Sequence, residues 1–162
     1  MRKHLLPHIL IISFVFILAP TAQVATYAGE NKNELIESCR EWVRKFPDDY
    51  MAHFALGGAY YEAKRYKEAI HAWKRSIELN PDYAPAYFYL GLSNDRIYKH
   101  KVARKCYQKA IRIDPDYAVA HYNLGLGYLL AGDGDSAMEQ YKILKNLDSE
   151  LANELFNYIY RE

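Results

Sequence analysis

Apolar side chains recur along most of the chain in steps of three and four. Between residues 50 and 63 they fall at Phe54, Leu56, Ala59, Tyr60 and Ala63, and between 66 and 79 at Ala69, Ile70, Trp73, Ile77 and Leu79. Stretches of this length and period predict helices rather than strands. Asn80-Pro81 and Asp114-Pro115 close the second helix of a pair, because proline disfavours the helical region for the residue before it. Lys64-Arg65, Tyr98-Lys99 and Ala131-Gly132-Asp133-Gly134 supply the short turns within pairs.

The helical pattern itself repeats. Pro47-Asp48, Pro81-Asp82 and Pro115-Asp116 are each 34 residues apart, as are Leu56-Gly57, Leu90-Gly91 and Leu124-Gly125. Ala69, Ala103 and Ala137 keep the same spacing, and each is followed four residues later by an aromatic: Trp73, Tyr107 and Tyr141. A period of this size marks a stack of supersecondary units, each unable to bury its apolar face alone. A helical glycine costs about 1 kcal/mol relative to alanine. Three of them in one register imply helices packed too closely for any side chain.

With these columns in place, the chain resembles the tetratricopeptide-repeat family. That family's pattern of aromatic, Leu-Gly, Tyr, Ala, aromatic and Pro matches His53/Leu56-Gly57/Tyr60/Ala69/Trp73/Pro81, then Tyr87/Leu90-Gly91/Asn94/Ala103/Tyr107/Pro115, then His121/Leu124-Gly125/Tyr128/Ala137/Tyr141/Ser149. The two histidines, Asn94 and Ser149 depart from it. The resemblance implies an all-α, right-handed superhelix with repeats at 50–83, 84–117 and 118–151. Residues 29–49 then form an orphan half repeat, with Leu35, Ile36, Cys39, Trp42, Val43 and Phe46 on one helical face. Residues 152–162 complete a C-terminal capping helix, for which Ser149 is the expected N-cap.

Residues 1–28 follow another pattern. Arg2, Lys3 and His4 precede an apolar run from Leu5 to Ala19, shorter than the roughly 20 residues of a membrane span and broken early by Pro7 and His8. A basic head, a short apolar middle and a tail of small residues read as a secretory signal peptide, with Thr26-Tyr27-Ala28 the best cleavage site. An uncleaved membrane anchor is the alternative. Either reading places the remainder outside the cytoplasm, periplasmic or secreted. Cleavage removes two basic side chains and leaves 19 against 20 acidic ones.

Composition narrows the function. Lys and Arg total 21 and Asp and Glu 20, so no global charge draws the chain to nucleic acid. His53, His71, His100 and His121 never fall at zinc-binding spacing, and Gly132-Asp133-Gly134-Asp135 lacks the ligand spacing of a calcium loop. No nucleophile elbow, phosphate-binding loop or His/Glu metal motif occurs, so neither an enzyme, a cofactor nor a small-molecule substrate is expected. Cys39 and Cys106 lie almost two repeats apart. Helix spacing of 8–10 Å separates them by about 20 Å, far beyond disulfide reach. Both are expected to be free, with Cys106 the more exposed. Residues 84–117 hold seven basic side chains against three acidic, mostly on the second helix of the repeat. That stripe is either a solvated convex face or a weak contact for a membrane or an acidic partner.

In the resembled family, the first helix of each pair lines a concave wall that takes protein or peptide partners. One subset grips a chaperone's C-terminal carboxylate with Lys, Asn and Arg on these helices. The corresponding columns here are Phe54, Phe88, Tyr122 and Phe156; Met51, Pro85, Val119 and Asn153; and Gly58, Leu92, Leu126 and Tyr160. None is charged, so that clamp is absent. The expected groove consists of Met51, Phe54, Phe88, Leu92, Tyr122, Asn123, Leu126 and Phe156, suited to an apolar partner segment; the alternative is that the chain's own neighbouring helices cover these side chains. The expected function is a non-enzymatic, exported adaptor. A self-assembling subunit stacking through its terminal helices is the alternative, suggested by Phe156, Tyr158 and Tyr160. An accessory module of a cell-envelope complex would differ only in what the groove holds.

Overall fold

The computed structural model describes residues 32–160, so the expected signal peptide lies outside the described residues. The described part is all helical. In chain order its helices are α1 (Lys32–Lys45), α2 (Tyr50–Glu62), α3 (Tyr66–Leu79), α4 (Ala84–Arg96), α5 (His100–Ile113), α6 (Ala118–Leu129), α7 (Gly134–Leu147) and α8 (Ser149–Ile159). The closest packing is α2 on α3, α4 on α5 and α6 on α7, and each pair then packs on the next. This is an α-solenoid of three helical pairs. α1 covers the first pair, and α8 covers the last by lying against both α6 and α7.

Columns of small residues form the joints of the stack. Ala52, Ala86 and Ala120 on the first helices, and Ala69, Ala103 and Ala137 on the second, are all fully buried, which lets the backbones approach. A Cβ at Gly91 would stand 2.5 Å from Tyr107 Cε1, and one at Gly57 would strike the Trp73 indole. Aromatic and glycine therefore form one unit, with the ring lying in the space that the missing side chain leaves. Trp73 secures its ring further by donating from Nε1 to the Phe54 carbonyl at 3.0 Å. Lys64, Tyr98 and Gly132, each 34 residues from the next, turn the chain with φ of 59°, 61° and 76°.

Two histidines, His53 and His121, are packing elements. The ring Nε2 atoms of His53 and His121 stand 2.8 and 2.9 Å from the carbonyls of Pro47 and Pro115, holding each inter-pair loop against the helix that follows. Asn94, in place of the family tyrosine, is buried and donates to the Leu90 carbonyl at 2.7 Å.

Two expectations at the flanks are corrected. Asp148 rather than Ser149 caps α8, its carboxylate accepting from the Glu150 and Leu151 amides at 3.0 Å. A carboxylate at this position accepts more strongly than a hydroxyl and also favours the positive helix end. Phe46 does not share the buried face of α1; it follows the helix end and is half exposed. Cys39 and Cys106 are both buried and both free, and Cys106 is the more exposed of the two, at 8% against 3%. Burial pushes each thiol up to about 11.

Candidate protein-binding surface

The first helices α2, α4 and α6, continued by α8, present the surface on which the site residues were expected. Phe54 and Phe88 are not accessible on it. They are 6% and 7% exposed and act as wedges between successive pairs. The Phe54 ring meets Tyr83 at 5.1 Å and Tyr89 at 5.6 Å; Phe88 meets Tyr117 at 5.2 Å and Tyr107 at 5.8 Å. Edge-on and tilted contacts of this kind add to area burial. Burial raises the Tyr83, Tyr89 and Tyr117 phenols above their usual range, so this ladder remains neutral.

The accessible part of the surface is displaced towards the C-terminus. Met51, Leu92, Tyr122, Asn123 and Leu126 are half-buried. Asn123 spends its amide on the Val119 carbonyl at 2.7 Å. Leu92 rests on the cluster of Phe88 and Leu124, whereas Tyr122 and Leu126 rest on that of Leu144 and Leu155. The Tyr122 phenol is held above its usual range by burial and then by its hydrogen bond to Glu154 of α8. Phe156 is 39% exposed, with its ring centroid 4.5 Å from Tyr160 and 5.3 Å from Tyr141.

The next row along these helices, Tyr61-Glu62, Asp95-Arg96 and Leu129-Leu130, was missed by the sequence reading. It carries charge: Arg96 reaches back one repeat to donate to the Tyr61 hydroxyl at 3.1 Å. Asp95 accepts from the Tyr107 hydroxyl at 2.6 Å and lies 2.9 Å from His100 Nδ1. Leu130, by contrast, is 71% exposed. Extending each column by another helical turn would have found this row. Among the described residues, no group of three or more His, Cys, Asp or Glu could hold a metal ion.

A family model described as TPR repeat matches residues 57–95 and 99–132. The crystal structure of MamA is similar over 76% of this chain and 72% of its own, with 32% identity and a TM-score of 0.70. The chain belongs to the tetratricopeptide-repeat family. Two further tetratricopeptide structures share the fold at lower identity. TTC0263, a thermophilic protein of Thermus thermophilus, is 23% identical over 78% of this chain and 72% of its own, with a TM-score of 0.67. The first such domain of Spaghetti (RPAP3), solved with the HSP90 peptide SRMEEVD, is 20% identical over 70% of this chain and 91% of its own, with a TM-score of 0.65. No curated protein matches the chain in sequence. Tetratricopeptide architecture supports a non-enzymatic role in binding proteins or peptides.

Proposed function

We propose that the chain is an exported adaptor that receives an apolar segment of a partner protein on the surface of its first helices. The observation that supports this reading is the partly open strip Leu92, Tyr122 and Leu126, continued by exposed Phe156 and Tyr160. An amphipathic helix laid along it would gain about 25 cal/mol per Å² of apolar surface removed from water, with little salt dependence. Phe54 and Phe88 shape the floor of the strip and do not touch the partner. Leu126→Glu should therefore reduce partner capture at least tenfold while circular dichroism stays helical. Unchanged capture, or loss of wild-type capture in moderate salt, would exclude the strip.

Export belongs to the same proposal and rests on the order of basic, apolar and small residues in 1–28. Mass spectrometry of the native protein should find a mature start near Gly29. A full-length membrane-bound product would favour the anchor, and a full-length cytosolic one would exclude export. A second reading, head-to-tail stacking, is favoured by the aromatic end of α8, where Tyr158 and Tyr160 are 45% and 59% exposed. Light scattering across a dilution series separates the two readings, because stacking requires mass to fall with concentration.

A further inference from the structure

The first helices leave unused the most charged surface of the molecule. From Arg96 to Ile113 the chain contains seven basic side chains and no acidic one. On other second helices, Arg40 of α1 pairs with Glu37, and Arg75 of α3 with Glu78 and with Asp48 in the loop before α2. On α5 the exposed Lys101, Lys105 and Arg112 follow one another at helical spacing, and none forms an ion pair among the described residues. Lys109 extends over the Tyr87 ring at 5.6 Å. Arg104 is held inward by the Gly127 carbonyl at 3.1 Å.

Apolar side chains project from the same surface. Tyr98, at the tip of the turn entering α5, is 85% exposed, the most exposed large apolar side chain among the described residues. Val102, four residues on, is 45% exposed. The left-handed φ of 61° at Tyr98 is one that side-chain-bearing residues seldom adopt, and its ring stands edge-on to His100 at 6.2 Å. Lys99, Lys101 and Lys105 surround these two residues. Leu130, in the corresponding turn of the next pair, lies beside Asp133 and Asp135 and so falls outside the basic region.

We propose that the Tyr98–Arg112 face docks on an anionic lipid surface, with Tyr98 and Val102 entering the interfacial region and Lys99, Lys101, Lys105 and Arg112 meeting headgroup phosphates. Two kinds of contact favour a bilayer over an acidic protein. Unpaired cations around exposed apolar side chains fit a layered surface, charged outside and apolar beneath, and tyrosine suits that boundary. The face lies on a second helix, opposite the strip proposed above, so both can be occupied together.

The test is partition of the full chain onto vesicles of phosphatidylcholine alone or with about one-third phosphatidylglycerol, in about 0.1 M salt. Arg2 and Lys3 beside the apolar segment Leu5–Ala19 also favour the anionic vesicles, so the deciding readouts are the loss in the triple variant and the dye at position 98. The anionic vesicles should bind more strongly, and Lys99→Gln, Lys101→Gln and Lys105→Gln combined should lower that binding on the order of 100-fold. An environment-sensitive dye on Tyr98→Cys, with both native thiols buried, should shift to the blue on anionic vesicles. The same dye on Ser38→Cys in α1 should not. Equal binding to both vesicle types, no loss in the triple variant, or a dye at position 98 that stays in water would each overturn the proposal. Salt-sensitive binding of polyglutamate without any vesicle preference would make the face a dock for an acidic protein, and would overturn it too.

Discussion

Ser76 and Ser93 each bury a hydroxyl for which no hydrogen-bond partner is present. Both are fully buried, and the repeats supply apolar counterparts in the same columns: Ala110 for Ser76 and Ala59 for Ser93. A buried hydroxyl without a partner costs about 1–3 kcal/mol, and removing it leaves a site already shaped for a methyl group. Ser76→Ala should therefore raise the midpoint of chemical unfolding by an amount worth about 1 kcal/mol; a lower midpoint would mean that the hydroxyl has a partner. The thiols behave in the opposite sense with pH. Cys39 and Cys106 are held up to about 11 by burial, against an unfolded value near 9. The folded state then keeps protons that the unfolded state has lost, so stability present below pH 9 declines as pH rises towards 11. Chemical unfolding across that window should show a shallower decline for the Cys39→Ala, Cys106→Ala double variant. A parallel decline would place the alkaline loss in the buried tyrosines instead.

At the scale of helices, the third pair departs from the first two. Trp73 and Tyr107 cover Gly57 and Gly91, yet the space beside Gly125 is taken by Leu155 of α8, whose Cδ2 would lie 2.6 Å from a Cβ there. Tyr141, the aromatic of that column, is only half-buried and faces Phe156. α8 is thus a structural part of the last repeat as well as its cover. Leu155→Ala should cost about 2–5 kcal/mol, the range for a fully buried leucine, and should loosen α6 and α7 before α2 and α3 in hydrogen exchange. Uniform loosening would argue against this division. The helices, their pairing and the glycine and aromatic columns were legible in the sequence because each is repeated at 34 residues. Leu155 was not, since it occurs once. The burial of Phe54 and Phe88 was equally hidden: column position states which helix face a side chain leaves from, but not whether Tyr83 or Tyr117 from the next loop folds over it. Asp148 was passed over for Ser149 because the two adjacent residues are both capping types.

At the scale of the molecule, the solenoid offers two chemically distinct walls. The first helices expose an apolar strip that widens from Leu92 towards Phe156, and α5 exposes cations and projecting apolar tips. A long, modular stack can hold two partners because each repeat contacts only its neighbours, leaving opposite faces independent. Photo-crosslinking in the native cell tests the first wall most directly. Benzophenone-bearing residues would replace Leu92 and Leu126 on the strip, and Glu78 on α3 as the control. Discrete crosslinks to one partner protein from positions 92 and 126, and none from 78, are the expected result. Crosslinks from 78 alone, or from all three positions alike, would contradict binding on the first-helix strip.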